Sequence, residues 1–344
     1  MSERQKLVHL HTSGTTEPSA AMLNLGEIAV QHASEESCLY IKNQDEELIK
    51  FIPSGTIQTM IDNISIDCGE YQGPKYLTFE AVSANSTVQL NIYNGVGAGS
   101  FNGKGKFLYS TDNGETWNEY IFTQQGRQGF SGQTITLSNI GDTVNFRGRN
   151  GSLCYTEGDI NYTAVNYHKF KLTGRIKANG DITSLNNGIG GDIPMSAVCY
   201  TNLFNNNVSL LTPPNLPSTV LAPNCYGNMF NGCTSLTTAP ELPATNLAYI
   251  CYRGMFNGCT SLTTAPELPA TNLAQGCYNS MFYNCEKLSY IKALFLTSPS
   301  NTYTGNWVSG VASAGTFVKN SEATWTVTGV NAVPNGWTIE TASS

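Results

Sequence analysis

Apolar and polar positions follow different rhythms along the chain. From 66 to 165 they alternate, as in "YLTFEAV", "TVQLNIYN", "KFLYSTDNGETWNEYIF", "TITLSNI" and "DTVNFRG". A period of two, broken by Gly, Asn and Asp, predicts an antiparallel β-sandwich. In "TDNGETW" the Asn113-Gly114 pair supplies the positive φ angles of a hairpin turn. From 166 to 290 the rhythm changes. "HKFKLTGRIKANGDITSLN" reads as leading strands, and then a 26-residue period sets in. Cys-Tyr recurs at 199–200, 225–226, 251–252 and 277–278, and a large apolar pair follows at Leu203-Phe204, Met229-Phe230, Met255-Phe256 and Met281-Phe282. Cysteine comes next at 233, 259 and 285, with Asn207 in its place in the first unit, and Leu stands at 236, 262 and 288. The stretch from Met229 to Ala248 recurs word for word from Met255 to Ala274. From 291 to 344, "ALFL", "TGNWVSG", "GTFVKN", "TWTVTGV" and "GWTIE" predict a β cap. From 1 to 62, "GEIAV" and "CLYIKN" predict short strands and "TIQTMIDNI" a short helix or linker. A unit of roughly 60 residues is marginal alone, so this one needs a partner.

Within one repeat, Cys, Met/Phe and Cys stand at i, i+4/i+5 and i+8, which places them on one helical face. "SLTTA" reads as a short strand and "PELPATNL" as a return loop. A single unit cannot bury its apolar face, but stacked units can. A 26-residue period falls in the leucine-rich range of roughly 20–29 residues. The expected fold is therefore mostly β with an α/β solenoid. It comprises a small β attachment domain (1–62), a β-sandwich spacer (66–165), a solenoid of about four 26-residue units (166–290) and a β C-terminal cap (291–344).

Of the ten cysteines, seven lie in the repeats. There is no C-x-x-C, and the histidines at 9, 11, 32 and 168 lie outside the repeats, so no metal is expected there. Disulfides between equivalent cysteines need Cα atoms within about 7 Å, whereas stacked helices sit about 8–10 Å apart. The cysteines are expected to be free thiols acting as small buried hydrophobes.

Charged residues make up only 12% of the chain, and the surface is filled instead by Asn, Thr, Ser and Gly. Net charge is −7, with no Lys/Arg cluster of the kind nucleic-acid binding requires. No apolar run reaches the roughly 18 residues of a membrane span. The N-terminus lacks the apolar core of a signal peptide, so folding in a cytosol is expected.

The text "CY..MFNGCTSL" followed by "L....LPATNLA" resembles the BspA-like leucine-rich repeats of Bacteroides-type surface proteins, over about 195–290. That resemblance implies adhesion and ligand binding, not catalysis. "LNLGEIAVQHASEESCLYIKN" is similar to the opening module of bacteriophage fibre and tropism proteins, which implies a small, usually trimeric, particle-attachment domain. Ile28, Val30, Leu39 and Ile41 are its candidate trimer and attachment residues. A phage protein folds in the host cytoplasm and leaves by lysis, which accounts together for the missing signal, the free thiols and the adhesin-like repeats.

The expected protein is thus a non-enzymatic virion fibre of the head or tail. It would be a homotrimer, joined to capsid or tail proteins and binding a host surface glycan or surface protein. No cofactor, nucleic acid or membrane insertion is expected. The alternatives are a bacterial BspA-like adhesin and, behind it, a glycan depolymerase. Tyr200, Tyr226, Tyr252 and Tyr278 form a ladder with two open readings: a sugar-stacking surface or half-buried packing. "STDNGETW" fits the Asp-box of sialidase propellers, but one box without an arginine cluster reads as a structural turn. Glu241 and Glu267 share a repeat position and suggest a glycosidase pair; the simpler reading is a duplicated surface residue. His168 reads as a sheet-surface residue.

Overall fold

The computed structural model describes residues 76–93, 107–124, 129–148 and 167–342, and before them the backbone of three strands. "TIQTMIDNI", Cys68 and Cys154 lie outside the described residues. The chain divides into two compact units, Met1–Gln72 and Gly73–Ser344. The regular secondary structure of the described residues is mostly β, with very few helical residues.

In the first unit, strands β1 (Ile28–His32), β2 (Ser37–Lys42) and β3 (Leu48–Phe51) form an antiparallel sheet in that order. The register pairs Ile28 with Ile41 and Val30 with Leu39.

The second unit begins with two sheets. One has the order β14-β13-β4-β11-β6-β7, from β4 (Leu77–Ala81), β6 (Phe107–Ser110), β7 (Asn118–Glu119), β11 (Thr143–Gly148), β13 (Ile176–Asn179) and β14 (Leu210–Thr212). The other is built on β5 (Ser86–Tyr93), with β12 (Tyr167–Thr173) along one side and, on the other, β10 (Ile135–Leu137) and β9 (Gly129–Gly132), which β8 (Phe122–Gln124) extends. Alternation does what it predicts. Leu77, Phe79 and Ala81 of β4 and Val88, Leu90 and Ile92 of β5 are all buried. Phe79 meets Phe170 with ring centroids 4.8 Å apart. The boundary differs from expectation: β12 and β13, read as leading strands of the repeats, complete the two sandwich sheets by pairing with β5 and β4.

The repeats depart from the helical expectation. Each stretch from Cys-Tyr to the second cysteine is a run of turns, with a left-handed residue at every fourth place. These are Val198, Asn202 and Asn206, then Asn224, Asn228 and Gly232, then Ile250, Gly254 and Gly258, then Gly276, Ser280 and Asn284. Asn and Gly tolerate that conformation better than other residues, and it breaks an α-helix. Backbone donors are shared between two directions. The N–H groups of Asn224, Tyr226, Asn228, Phe230 and Gly232 bond the carbonyls of Tyr249, Cys251, Arg253, Met255 and Asn257 in the next row, while those of Cys225, Gly227, Met229, Asn231 and Cys233 close turns three residues back. A period of four sends residues i, i+1, i+4, i+5 and i+8 inward, so Cys225, Tyr226, Met229, Phe230 and Cys233 are all buried.

Neither copy of "SLTTA" forms a strand: the first segment has one at Leu210–Thr212 and the fourth at Tyr290–Ala293, while the third shows only isolated bridges such as Thr264 to Tyr290. The predicted cap also differs. "TGNWVSG" continues the turn array as a further row, taking bonds from Ser280, Phe282 and Asn284 at Gly305, Trp307 and Ser309. Beyond it, β15 (Tyr290–Ala293), β16 (Thr316–Lys319) and β17 (Thr338–Thr341) form a parallel sheet. "TWTVTGV" holds no strand.

A continuous buried cluster joins sandwich, repeats and C-terminal segment. Its axis is a column of rings: Phe170, Phe204, Phe230, Phe256 and Phe282 stack at 5.5, 5.5, 5.6 and 5.8 Å and end against Trp307 at 6.0 Å. Asn207 explains its own exception. It lies where the array meets β12, donates to Phe170 O at 2.7 Å and accepts from Leu172 N at 2.9 Å, closing two strand groups that a thiol would serve poorly.

Candidate functional site

The tyrosine ladder is real but lies inside. Tyr200, Tyr226, Tyr252 and Tyr278 stack at 5.8, 5.7 and 6.0 Å and are at most 1% exposed. Tyr278 then stacks on Trp307. Burial pushes the hydroxyls of Tyr226, Tyr252 and Tyr278 well above the usual tyrosine range. A ring with no free face cannot take a sugar, so the ladder is packing and not a ligand surface. The cause is the turn array, which sends both residues of each Cys-Tyr pair inward.

The seven repeat cysteines are buried and form no disulfide. The spacing argument against disulfides does not hold, because rows joined by backbone hydrogen bonds lie closer than packed helices. The thiols are instead engaged: Cys233, Cys259 and Cys285 donate to the carbonyls of Phe204, Phe230 and Phe256 at 3.1, 3.1 and 3.0 Å. Burial pushes the thiols of Cys233, Cys251 and Cys285 up to about 12, which leaves little of the reactive thiolate.

His168 is also inside, only 4% exposed. It shares the inward phase of β12 with Phe170 and Leu172, and its ring stands edge-on to Phe107 at 5.3 Å. Desolvation lowers its pKa to about 4. The signal was in the sequence, since "HKFKL" puts His168 in step with Phe170 and Leu172.

Glu241 and Glu267 are exposed, and Glu267 is ion-paired with Lys292 at 2.9 Å. Among the described residues no group of His, Cys, Asp or Glu is arranged to hold a metal ion, and no helix is long and apolar enough to cross a membrane. Ile28, Val30, Leu39 and Ile41 occupy paired positions of the first sheet.

The turn at Ser110–Trp117, which fits the Asp-box pattern, is closed by polar side chains. Ser110 Oγ donates to Asp112 Oδ1 at 2.6 Å and accepts from Gly114 N at 2.8 Å. Thr116 donates to Asp112 through its N–H at 3.0 Å and through its hydroxyl. Hydrogen bonds from Ser110 and Thr116 hold the Asp112 carboxyl down to about 2. Asn113 and Gly114 take the positive φ angles expected of them, 57° and 91°. Trp117 Nε1 donates to Gly114 O at 3.0 Å, which fixes the indole against the sheet.

Three residues converge on that indole. Arg147 sits on β11 with its guanidinium carbon 4.1 Å from the Trp117 ring centroid and 5.8 Å from that of Tyr76. Tyr76 meets Trp117 edge-on at 4.6 Å. All three are half-buried. Sequence reading missed the cluster, because Arg147 and Trp117 are thirty positions apart and meet only through the pairing of β11 with β6 and the return of the turn.

Compared with known proteins, the chain matches no family model, no curated protein and no solved structure.

Proposed function

We propose that this protein is a structural virion fibre of the head or tail of a bacteriophage. Its N-terminal unit attaches to capsid or tail proteins and associates as a homotrimer. Its stacked segments form a leucine-rich-repeat solenoid of about four 26-residue units that adheres to the host surface. The observation that carries the reading is the row-to-row hydrogen bonding of the repeats. Each row offers the next the same backbone edge, so the array displays a series of like, nearly uncharged surfaces. Exposed Thr237 and Thr238 recur as Thr263 and Thr264. Such repetition suits attachment to a repetitive surface through many weak contacts. The resemblance of residues 23–43 to fibre-protein openings supplies the phage assignment.

Electron microscopy with gold-labelled antibody to residues 73–344 tests this. Label on fibres of intact phage particles is the expected result. Label confined to a bacterial envelope, with particles bare, overturns the fibre reading in favour of the adhesin.

A further inference from the structure

The sandwich holds a cation in place over an aromatic ring. Among the described residues no carboxylate lies within ion-pairing distance of Arg147, and no hydrogen bond engages its guanidinium. The group is nonetheless positioned. Its carbon lies over the Trp117 ring, and that ring is pinned by its bond to Gly114 O within a turn that Ser110, Asp112 and Thr116 hold closed. Gly114 lets Tyr76 close in, because a Cβ there would stand 3.2 Å from the Tyr76 ring. A guanidinium stacked on an indole keeps its N–H edge free. That edge matches a carboxylate in a two-pronged bond, and prior stacking lowers the entropy lost on binding.

We propose that Arg147, Trp117 and Tyr76 form a binding site for a carboxylate-bearing sugar unit of an acidic glycan. The charge around the site selects among acids. Asp112 is ionised, and Glu115 and Glu119 are exposed on the same hairpin, within a chain of net charge −7. A densely charged polyanion meets repulsion there. A single carboxylate on an otherwise neutral, hydroxylated ring does not, and its C–H faces suit the exposed parts of Trp117 and Tyr76. The inference deepens the adhesion reading and rests on it for its biological role. The sandwich then contributes to recognition and is more than a spacer.

The test uses the full chain and simple sugars, so its outcome is independent of where the protein is mounted. Trp307, Trp325 and Trp337 are at most 7% exposed, which leaves half-buried Trp117 as the fluorescence reporter among the four tryptophans. Titration with methyl glucuronide is expected to give a saturable change, and methyl glucoside to bind at least about tenfold more weakly for lack of the charged pair. Arg147→Gln is expected to lose that discrimination with an unchanged melting temperature. Arg147→Lys is expected to bind more weakly than wild type, since it keeps charge but not the stacked fork. Absence of saturable glucuronide binding, equal binding of the two sugars, or wild-type affinity in Arg147→Gln overturns the site. Tighter binding of polyglutamate than of glucuronide overturns the glycan assignment. If Arg147→Gln does not fold, the comparison of sugars on wild type still decides.

Discussion

Gly232 and Gly258 occupy the same place in the duplicated text, and both take a left-handed φ, 72° and 71°. Their neighbours differ. A Cβ on Gly232 would stand 2.2 Å from Asn206 Oδ1, whereas at Gly258 the nearest atom is Gly232 Cα at 3.7 Å. Gly258→Ala is therefore expected to cost only the left-handed penalty, about 1–2 kcal/mol. Gly232→Ala must in addition displace the Asn206 side chain, adding about 1 kcal/mol. Denaturant midpoints of the two variants measure this, and equal shifts would contradict the stacking order. The same scale shows why some residues were legible and others not. Asp112 and Trp117 are tied by a local motif and were readable. The fate of the tyrosines was not, because sequence places them beside inward cysteines without saying whether two adjacent residues can both turn inward.

The turn array answers that question at the scale of elements. The inward positions were readable from the period of 26, and Cys225, Met229, Phe230, Cys233 and Leu236 are all buried as that pattern requires. The conformation was not read, since spacing of i, i+4 and i+8 fits both a helix of 3.6 residues per turn and a chain of four-residue turns. The distinguishing signal was polar: Asn or Gly at Asn224, Asn228, Gly232, Gly254 and Gly258, each left-handed. Row-to-row bonding makes the segments exchangeable. Removing Met229–Gly254 joins Asn228 to Met255, and both Asn228 and Gly254 are left-handed residues of equivalent phase. The shortened protein is expected to fold, with a cooperative melt and buried thiols. Removing only Met229–Glu241 brings return-loop residues into a row and is expected to cause aggregation. Size-exclusion chromatography with thiol counting separates the cases, and like behaviour of the two deletions would contradict the array.

At the scale of the whole molecule the two units make different demands. Gly73–Ser344 carries its own continuous core, as its column of rings from Phe170 to Trp307 shows. The first unit offers a three-stranded sheet with Ile28 paired to Ile41 and Val30 to Leu39. A unit that small is marginal by itself, and in the proposed homotrimer three copies around an axis would supply the further packing. Light scattering is expected to report a trimer for the full chain and a monomer for a chain starting at Gly73; a monomeric full chain, or a trimer without the first unit, would contradict this.

By itself the sequence determined the β-rich class, the repeat period, the inward set of each segment and the hairpin at Asn113-Gly114, because each depends on neighbours within a few residues or on strict recurrence. Only the tertiary structure decided the rest. It made the repeats turns and not helices, since lateral bonds to the next row supply the donors' partners that a helix would have found within itself. It buried His168 and the tyrosines, and it merged the sandwich with the repeats through Phe170 and Asn207. It brought Arg147 onto Trp117, a meeting fixed by strand pairing and by a turn folding back, neither of which is written near either residue.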